Sequence, residues 1–175
     1  MIRFKKKLGA LTTPLALCLL VLCGVGALAQ RQLLPSAGAR PEVKVALAGS
    51  VEREGKQIAL DKAQAVQPGE ILSWQINSVN EGDGAARDYK AVGHIPAGTT
   101  FVAGSASGEN GSTVTYSIDG GKTFSTQPVI EERQPDGTTK RVAAPVSMYT
   151  EVRYEWSDAL AAGGKLSASY KVRVK

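Results

Sequence analysis

Few side chains in this sequence have the type or the spacing for a reactive site. The fullest constellation is Ser117-Ile118-Asp119-Gly120-Gly121-Lys122-Thr123-Phe124, which fits the Asp-box pattern Ser-x-Asp-x-Gly-x-Thr-aromatic. Its chemistry is local. The Asp119 carboxylate can accept backbone amides across a tight turn, Gly121 can adopt positive φ, and Phe124 can pack at a hairpin base. Ser117, Asp119, Gly121, Thr123 and Phe124 are therefore expected to build a structural hairpin. His94 is the one histidine. A single imidazole makes neither a histidine metal cluster nor, without a serine nucleophile motif nearby, a triad. Gly104-Ser105-Ala106-Ser107-Gly108 has the glycine spacing of a nucleophile elbow, but Ala106 stands at its centre. Glu81 and Asp83 sit in one glycine-rich turn, and Glu131, Glu132 and Asp136 near another. Neither has EF-hand spacing, and calcium needs about six to eight oxygen ligands, so these read as solvated turn carboxylates. No phosphate loop is present. The expectation is no catalytic residue, no metal and no cofactor.

Strands must position these residues. Glu70 to Ser105 reads as strand, polar glycine turn, strand, Pro-Gly corner, strand. Leu72, Trp74, Ile76 and Ser78 share one face of the first of these, the period-2 pattern of a half-buried strand. Trp74 is expected at the centre of the core, with Ile76 and Trp156. Asn80-Glu81-Gly82-Asp83-Gly84 is a run of residues that accept positive φ. Upstream, Val43, Val45 and Leu47 alternate with Lys44, Ala46 and Ala48, and the strand can run past Gly49 to Arg53. Gln57 to Leu60 is a short strand, and Asp61 to Val66 has room for one helical turn. Downstream, Val114, Tyr116 and Ile118 share a face, as do Val152, Tyr154 and Trp156. Leu166, Ala168, Tyr170, Val172 and Val174 alternate to the end of the sequence. Val129–Val142 reads as an exposed hairpin around Gln134-Pro135-Asp136-Gly137. About eight to ten short strands with no long helix predict an all-β sandwich or barrel.

The first 29 residues read as a cleavable signal peptide. Arg3, Lys5, Lys6 and Lys7 form a basic region, Leu15 to Val25 an apolar run, and Ala27-Leu28-Ala29 a small-x-small exit, with cleavage after Ala29. An uncleaved anchor is the competing reading, though Thr12, Thr13 and Pro14 interrupt the apolar run. A lipoprotein signal ending at Cys23 is another, but Leu22 is the wrong residue before a lipidated cysteine. Removing the leader lowers 21 Lys and Arg to 17 against 16 Asp and Glu. The basic balance thus belongs to the export signal and gives no case for nucleic acid. Cys18 and Cys23 are the two cysteines, so the mature chain would have no disulfide and no thiolate. Residues 30–41, with Pro35, Ser36, Gly38 and Pro41, read as a lead-in to a single domain over 42–175.

Taken in order, these parts resemble the DUF11 domain, a bacterial and archaeal extracellular module with an immunoglobulin-like sandwich fold. The resemblance rests on Pro68-Gly69-Glu70, Leu72-Ser73-Trp74-Gln75-Ile76, Asn80-Glu81-Gly82, Tyr89 to Val92 and Ile95-Pro96-Ala97-Gly98-Thr99-Thr100-Phe101-Val102. The close of the chain, Val152-Arg153-Tyr154-Glu155-Trp156 and Leu160-Ala161-Ala162-Gly163, is similar too. The family often has Asp two residues before Ile-Pro, where this chain has Gly93. The resemblance implies an immunoglobulin-like antiparallel β-sandwich with adhesion, envelope or spacer roles, and implies no reaction.

The expected function is an exported, non-enzymatic module of the bacterial cell envelope, in the periplasm, at the outer surface or secreted. It would act in structural support or adhesive interaction with an envelope protein or surface polymer, through loops, the hairpin or strand addition. Membrane contact would come only through the export signal or a lipidated Cys23. A carbohydrate-binding or sialidase-like, glycan-active protein is the alternative the Asp-box suggests, with Tyr89 or Tyr149 as an aromatic platform. One Asp-box falls short of a propeller, which repeats its motif in every blade. A lipid-anchored accessory subunit of an envelope complex is the other alternative.

Overall fold

The computed structural model describes residues 38–175. Cys18, Cys23, Ala27, Ala29 and the rest of the leader lie outside the described residues. Eleven strands follow in order. They are β1 (Val43–Arg53), β2 (Lys56–Ala59), β3 (Ile71–Asn80), β4 (Lys90–His94), β5 (Thr99–Phe101), β6 (Ser107–Gly108), β7 (Thr113–Ser117), β8 (Val129–Arg133), β9 (Thr139–Ala143), β10 (Glu151–Glu155) and β11 (Lys165–Val174). The larger sheet runs β2-β1-β3-β11-β5, with β6 also on β11; the smaller runs β4-β10-β7. All pairings are antiparallel. The protein is an all-β, immunoglobulin-like antiparallel sandwich.

The central pair β3 and β11 carries the clean alternation of the sequence. Leu72, Ile76, Ser78 and Asn80 of β3 are buried, as are Leu166, Ala168, Tyr170 and Val172 of β11. Their register pairs Leu72 with Val172, Trp74 with Tyr170, and Ile76 with Ala168. Directly opposed residues of antiparallel strands share a face, so these form one inner surface. The smaller sheet answers with Ala91, Val152 and Tyr154. Two tyrosines lock the layers. Tyr170 Oη donates to the carbonyl of His94 at 2.6 Å, and Tyr154 Oη to that of Ser169 at 2.7 Å. Burial pushes the Tyr170 phenol up to about 12 and raises that of Tyr154 as well. Both stay neutral donors at any physiological pH.

Several elements differ from the sequence-based expectation. Trp74, expected at the core's centre, is half-buried against Gly49 and Leu60. The side chains buried most completely are instead Tyr154, Tyr170, Val51, Val152 and Val172. Gly49 faces Trp74 across the strands, and its missing side chain makes room for the indole at the sheet's flank. Trp156 is buried, stacked on Tyr89 at 5.6 Å, and donates Nε1–H to Glu109 O at 2.8 Å. On β7 the buried side chains are Thr115 and Ser117, while Val114 and Tyr116 on the opposite face are half-buried. The cause is the following loop, which folds back over the outer face. Leu60 lies outside β2 and opens a turn that ends at Ala63, with Lys62 N and Ala63 N both bonded to Ala59 O, while Gln64 to Val66 carry no regular structure. A single 3-10 turn over Val146–Met148 has no clear sequence signal.

The two sheets differ in width. Tyr89 Oη donates to Ser78 Oγ at 2.8 Å, and a side chain at Gly93 would strike the Tyr170 ring. These contacts set β4 over β3 and β11. The part of β1 that carries Val45 and Leu47 therefore extends past the edge of the smaller sheet, while Val51 at its other end is fully buried. Val45 and Leu47 share the core-facing side of β1, opposite Ser78 and Ile76, yet each is 57% exposed.

Candidate functional site

The Asp-box closes as a local hydrogen-bonded knot after β7. Ser117 Oγ donates to Asp119 Oδ1 at 2.7 Å and accepts Gly121 N at 2.9 Å. Asp119 Oδ1 also accepts Lys122 N and Thr123 N at 3.0 Å each, and its Oδ2 accepts the Thr123 hydroxyl at 2.6 Å. The Thr123 hydroxyl above all, with the amides and Ser117, holds the Asp119 carboxyl well below the usual carboxylate range. An aspartate so fully engaged has its lone pairs committed and is poorly placed as a general acid or base. Gly121 has φ +79, and a Cβ there would lie 2.4 Å from the Glu151 carboxylate. Ser125 returns the chain, exchanging backbone bonds with Tyr116 at 2.8 and 3.0 Å. Phe124 lies beneath the Arg153 guanidinium, 4.0 Å from ring centroid to Cζ, on the outer face of the smaller sheet. The knot thus covers Thr115 and Ser117 and fixes the β7 edge.

The other singled-out residues do not converge on it. His94 is largely exposed, with Nδ1 4.0 Å from Glu151 Oε1. Gly93, the departure from the Asp of the DUF11 pattern, faces the ring of Tyr170, which takes the space of any side chain there. Glu81 pairs with Lys44 Nζ, and Asp83 Oδ1 accepts Arg40 N at 2.6 Å. Asp136 accepts the Thr138 hydroxyl and amide, which lower its pKa. Among the described residues, no three His, Cys, Asp or Glu side chains come together as a metal site. Tyr89 and Tyr149 are half-buried, and each ring packs on other aromatics. Tyr89 stacks on Trp156, and Tyr149 on Phe101 at 5.8 Å beside Tyr116 at 4.9 Å.

Sequence reasoning missed one polar node. Asn80 is fully buried at the end of β3. Its Oδ1 accepts Glu42 N at 3.0 Å and Gly82 N at 3.2 Å. Its Nδ2 donates to the carbonyls of Gly84, Leu160 and Ala161 at 2.7, 3.0 and 3.2 Å. One amide thus ties the entry of β1, the turn after β3 and the loop before β11. Positive φ is the expectation from sequence for this turn, but Gly82 and Gly84 do not use it. They are required by close approach: a Cβ at Gly82 would lie 2.2 Å from Arg40 O, and one at Gly84 would lie 2.7 Å from Ala39.

The hairpin β8–β9 forms its own two-stranded sheet. Asp136 and Gly137 (φ +86) make its turn, and Ala144 N to Pro128 O at 2.8 Å closes its base. Glu131 faces Arg141 and Glu132 faces Lys140 across the strands. Most of its side chains are exposed, and none belongs to the core cluster.

No protein-family model, curated protein or solved structure matches this chain.

Proposed function

We propose that this chain is an exported, non-enzymatic β-sandwich module of the bacterial cell envelope, of the kind its DUF11 resemblance implies. It acts by surface recognition of an envelope protein or surface polymer. The observation that carries this reading is the β8–β9 hairpin. Opposite charges face each other across its strands, its side chains stand clear of the core cluster, and a backbone bond closes its base. Exposed elements held by a rigid scaffold are where binding residues concentrate. The leader-like N-terminus supports export, and the Asp-box supports a structural rather than a glycan-active use, because the side-chain oxygens of Ser117, Asp119 and Thr123 are engaged within their own turn.

The test is cross-linking in the native envelope followed by recovery of the protein with its neighbours. A specific neighbour is expected with the intact protein and is expected to be lost when Val129–Val142 is deleted, with the sandwich still melting cooperatively. Recovery of the same neighbour by the deletion variant would refute the hairpin as the recognition element.

A further inference from the structure

The two most exposed large apolar side chains of the described residues stand on one face of one strand. The large hydrophobics exposed most are Val45 and Leu47, at 57% each, and Val92, at 50%. Val45 and Leu47 lie on the core-facing side of the larger sheet, in register with Ser78 and Ile76. They are exposed because the smaller sheet ends at β4, one strand short of covering this part of β1, whereas Val51 further along the strand is fully buried. Val92 stands on β4 itself, with its side chain on the outer face of the smaller sheet beside Arg153.

The edge of β4 facing this gap carries unused backbone groups. Trp156 N bonds Tyr89 O at 3.2 Å, and Ile95 N bonds Thr150 O at 2.9 Å. Antiparallel strands alternate, so Tyr89, Ala91, Gly93 and Ile95 turn their backbone toward β10. Lys90, Val92 and His94 turn theirs outward. Among the described residues, no strand pairs with that side, and only the His94 carbonyl has a partner there, the Tyr170 hydroxyl. The flank thus pairs a row of free N–H and C=O groups above with an apolar floor below.

We infer that this flank takes one extended strand of a partner protein, added antiparallel or parallel to β4, with alternate apolar side chains seated on Val45 and Leu47. Only a polypeptide repeats donors and acceptors at the spacing β4 presents, and an added strand sends every second side chain to the same face. The width of the ledge selects this occupant. Beside Val45 and Leu47 the larger sheet ends with β1, because β2 pairs only with Ser50–Arg53, which leaves room for one strand at ~4.8 Å. A second copy pairing β4 to β4 about a twofold axis would bring its own larger sheet onto the same side, where β1 already lies. The ledge therefore excludes that edge-to-edge dimer and admits a lone strand. This site is separate from the hairpin and rests on the reading of the protein as an interaction module.

The experiment uses the mature protein and a synthetic nine-residue peptide of alternating Val and Thr. A control peptide carries Pro at every second position. Expected results are slowed amide exchange at Lys90, Val92 and His94 and shifted methyl resonances of Val45 and Leu47, with the first peptide and not the second. Val92→Pro removes one outward N–H at an exposed site and is expected to abolish binding. Leu47→Lys replaces the apolar floor and is expected to weaken binding about tenfold or more, as loss of one apolar contact does. Circular dichroism of both variants establishes that they fold. No change at those amides at millimolar peptide, or equal binding by Leu47→Lys, would overturn the inference. So would a concentration-dependent dimer that Val92→Pro dissolves, since the flank would then belong to a second copy. The site of leader cleavage is read independently by mass, so failure here is distinguishable from failure of the export reading.

Discussion

Replacing Asn80 with alanine removes five hydrogen bonds from a fully buried position, and the cost can be worked bond by bond. The carbonyls of Leu160 and Ala161 keep backbone partners, Ala86 N and Gly164 N, both at 2.9 Å. Glu42 N lies in an exposed stretch where water can replace the amide oxygen. Gly82 N is half-buried, and Gly84 O is buried with Asn80 as its partner. One buried orphan and one half-buried orphan, at about 1–3 kcal/mol for a fully desolvated group, give a loss of about 3 kcal/mol. That is roughly a hundredfold in the folding equilibrium, or about 10 °C in Tm for a domain of this size. Urea unfolding followed by tryptophan fluorescence measures it. Asn80→Asp sharpens the test. It keeps the acceptor for Glu42 N and Gly82 N but aims a charged oxygen at three carbonyls. It is expected to be worse than alanine at pH 7 and to recover on acidification, when the protonated carboxyl can donate to Gly84 O. A loss below about 0.5 kcal/mol in Asn80→Ala, the range of ordinary surface changes, would refute the role assigned to this node.

Three further outcomes follow from the same geometry. Trp156→Phe is expected to cost about 1 kcal/mol more than Trp74→Phe, since only Trp156 Nε1 has a partner among the described residues; equal unfolding midpoints would contradict this. Gly121→Ala meets both positive φ and the Glu151 carboxylate, whereas Gly120→Ala meets only φ +72. Gly121→Ala is expected to lower Tm further, by the equivalent of about 1 kcal/mol, and equal Tm values would count against it. Glu70 accepts Arg53 Nε at 2.7 Å, Arg53 Nη2 at 3.0 Å and Gln67 N at 2.7 Å, and the Arg53 guanidinium leads in lowering its pKa to about 2. A depressed pKa gives stability that is complete above the unfolded value and lost as pH falls through the folded one. The Tm difference between the native protein and Glu70→Gln is therefore expected at neutral pH and should close between about pH 5 and 2. A difference independent of pH would sink the ion-pair account.

The sandwich itself is legible in the sequence because strand alternation is a local signal. Leu72 to Asn80 and Leu166 to Val172 carry it along whole strands. Gln134-Pro135-Asp136-Gly137 likewise marks the turn of the β8–β9 hairpin, since turn chemistry is written in adjacent residues. What is not legible depends on partners distant in the chain. Val45 and Leu47 alternate as a buried strand would, but their exposure follows from the width of the opposite sheet, which no local pattern encodes. Trp74 and Trp156 sit in similar alternating contexts, yet Gly49 makes a flank seat for one and Glu109 O a buried partner for the other. Thr115 and Ser117 read as solvent-facing until the Asp-box loop and Arg153 over Phe124 are placed above them. Asn80 reads as a turn residue because its five partners come from three separate segments. A buried asparagine after an alternating strand, followed by two glycines, is the signal that could have found it.

Intact-mass analysis of the protein recovered from the envelope fraction of its native cell tests the central proposal most directly. The expected result is an unmodified chain beginning at Gln30, found outside the cytoplasm. Recovery of the full-length chain from the cytoplasm, or of a chain beginning at a diacylated Cys23, would contradict it.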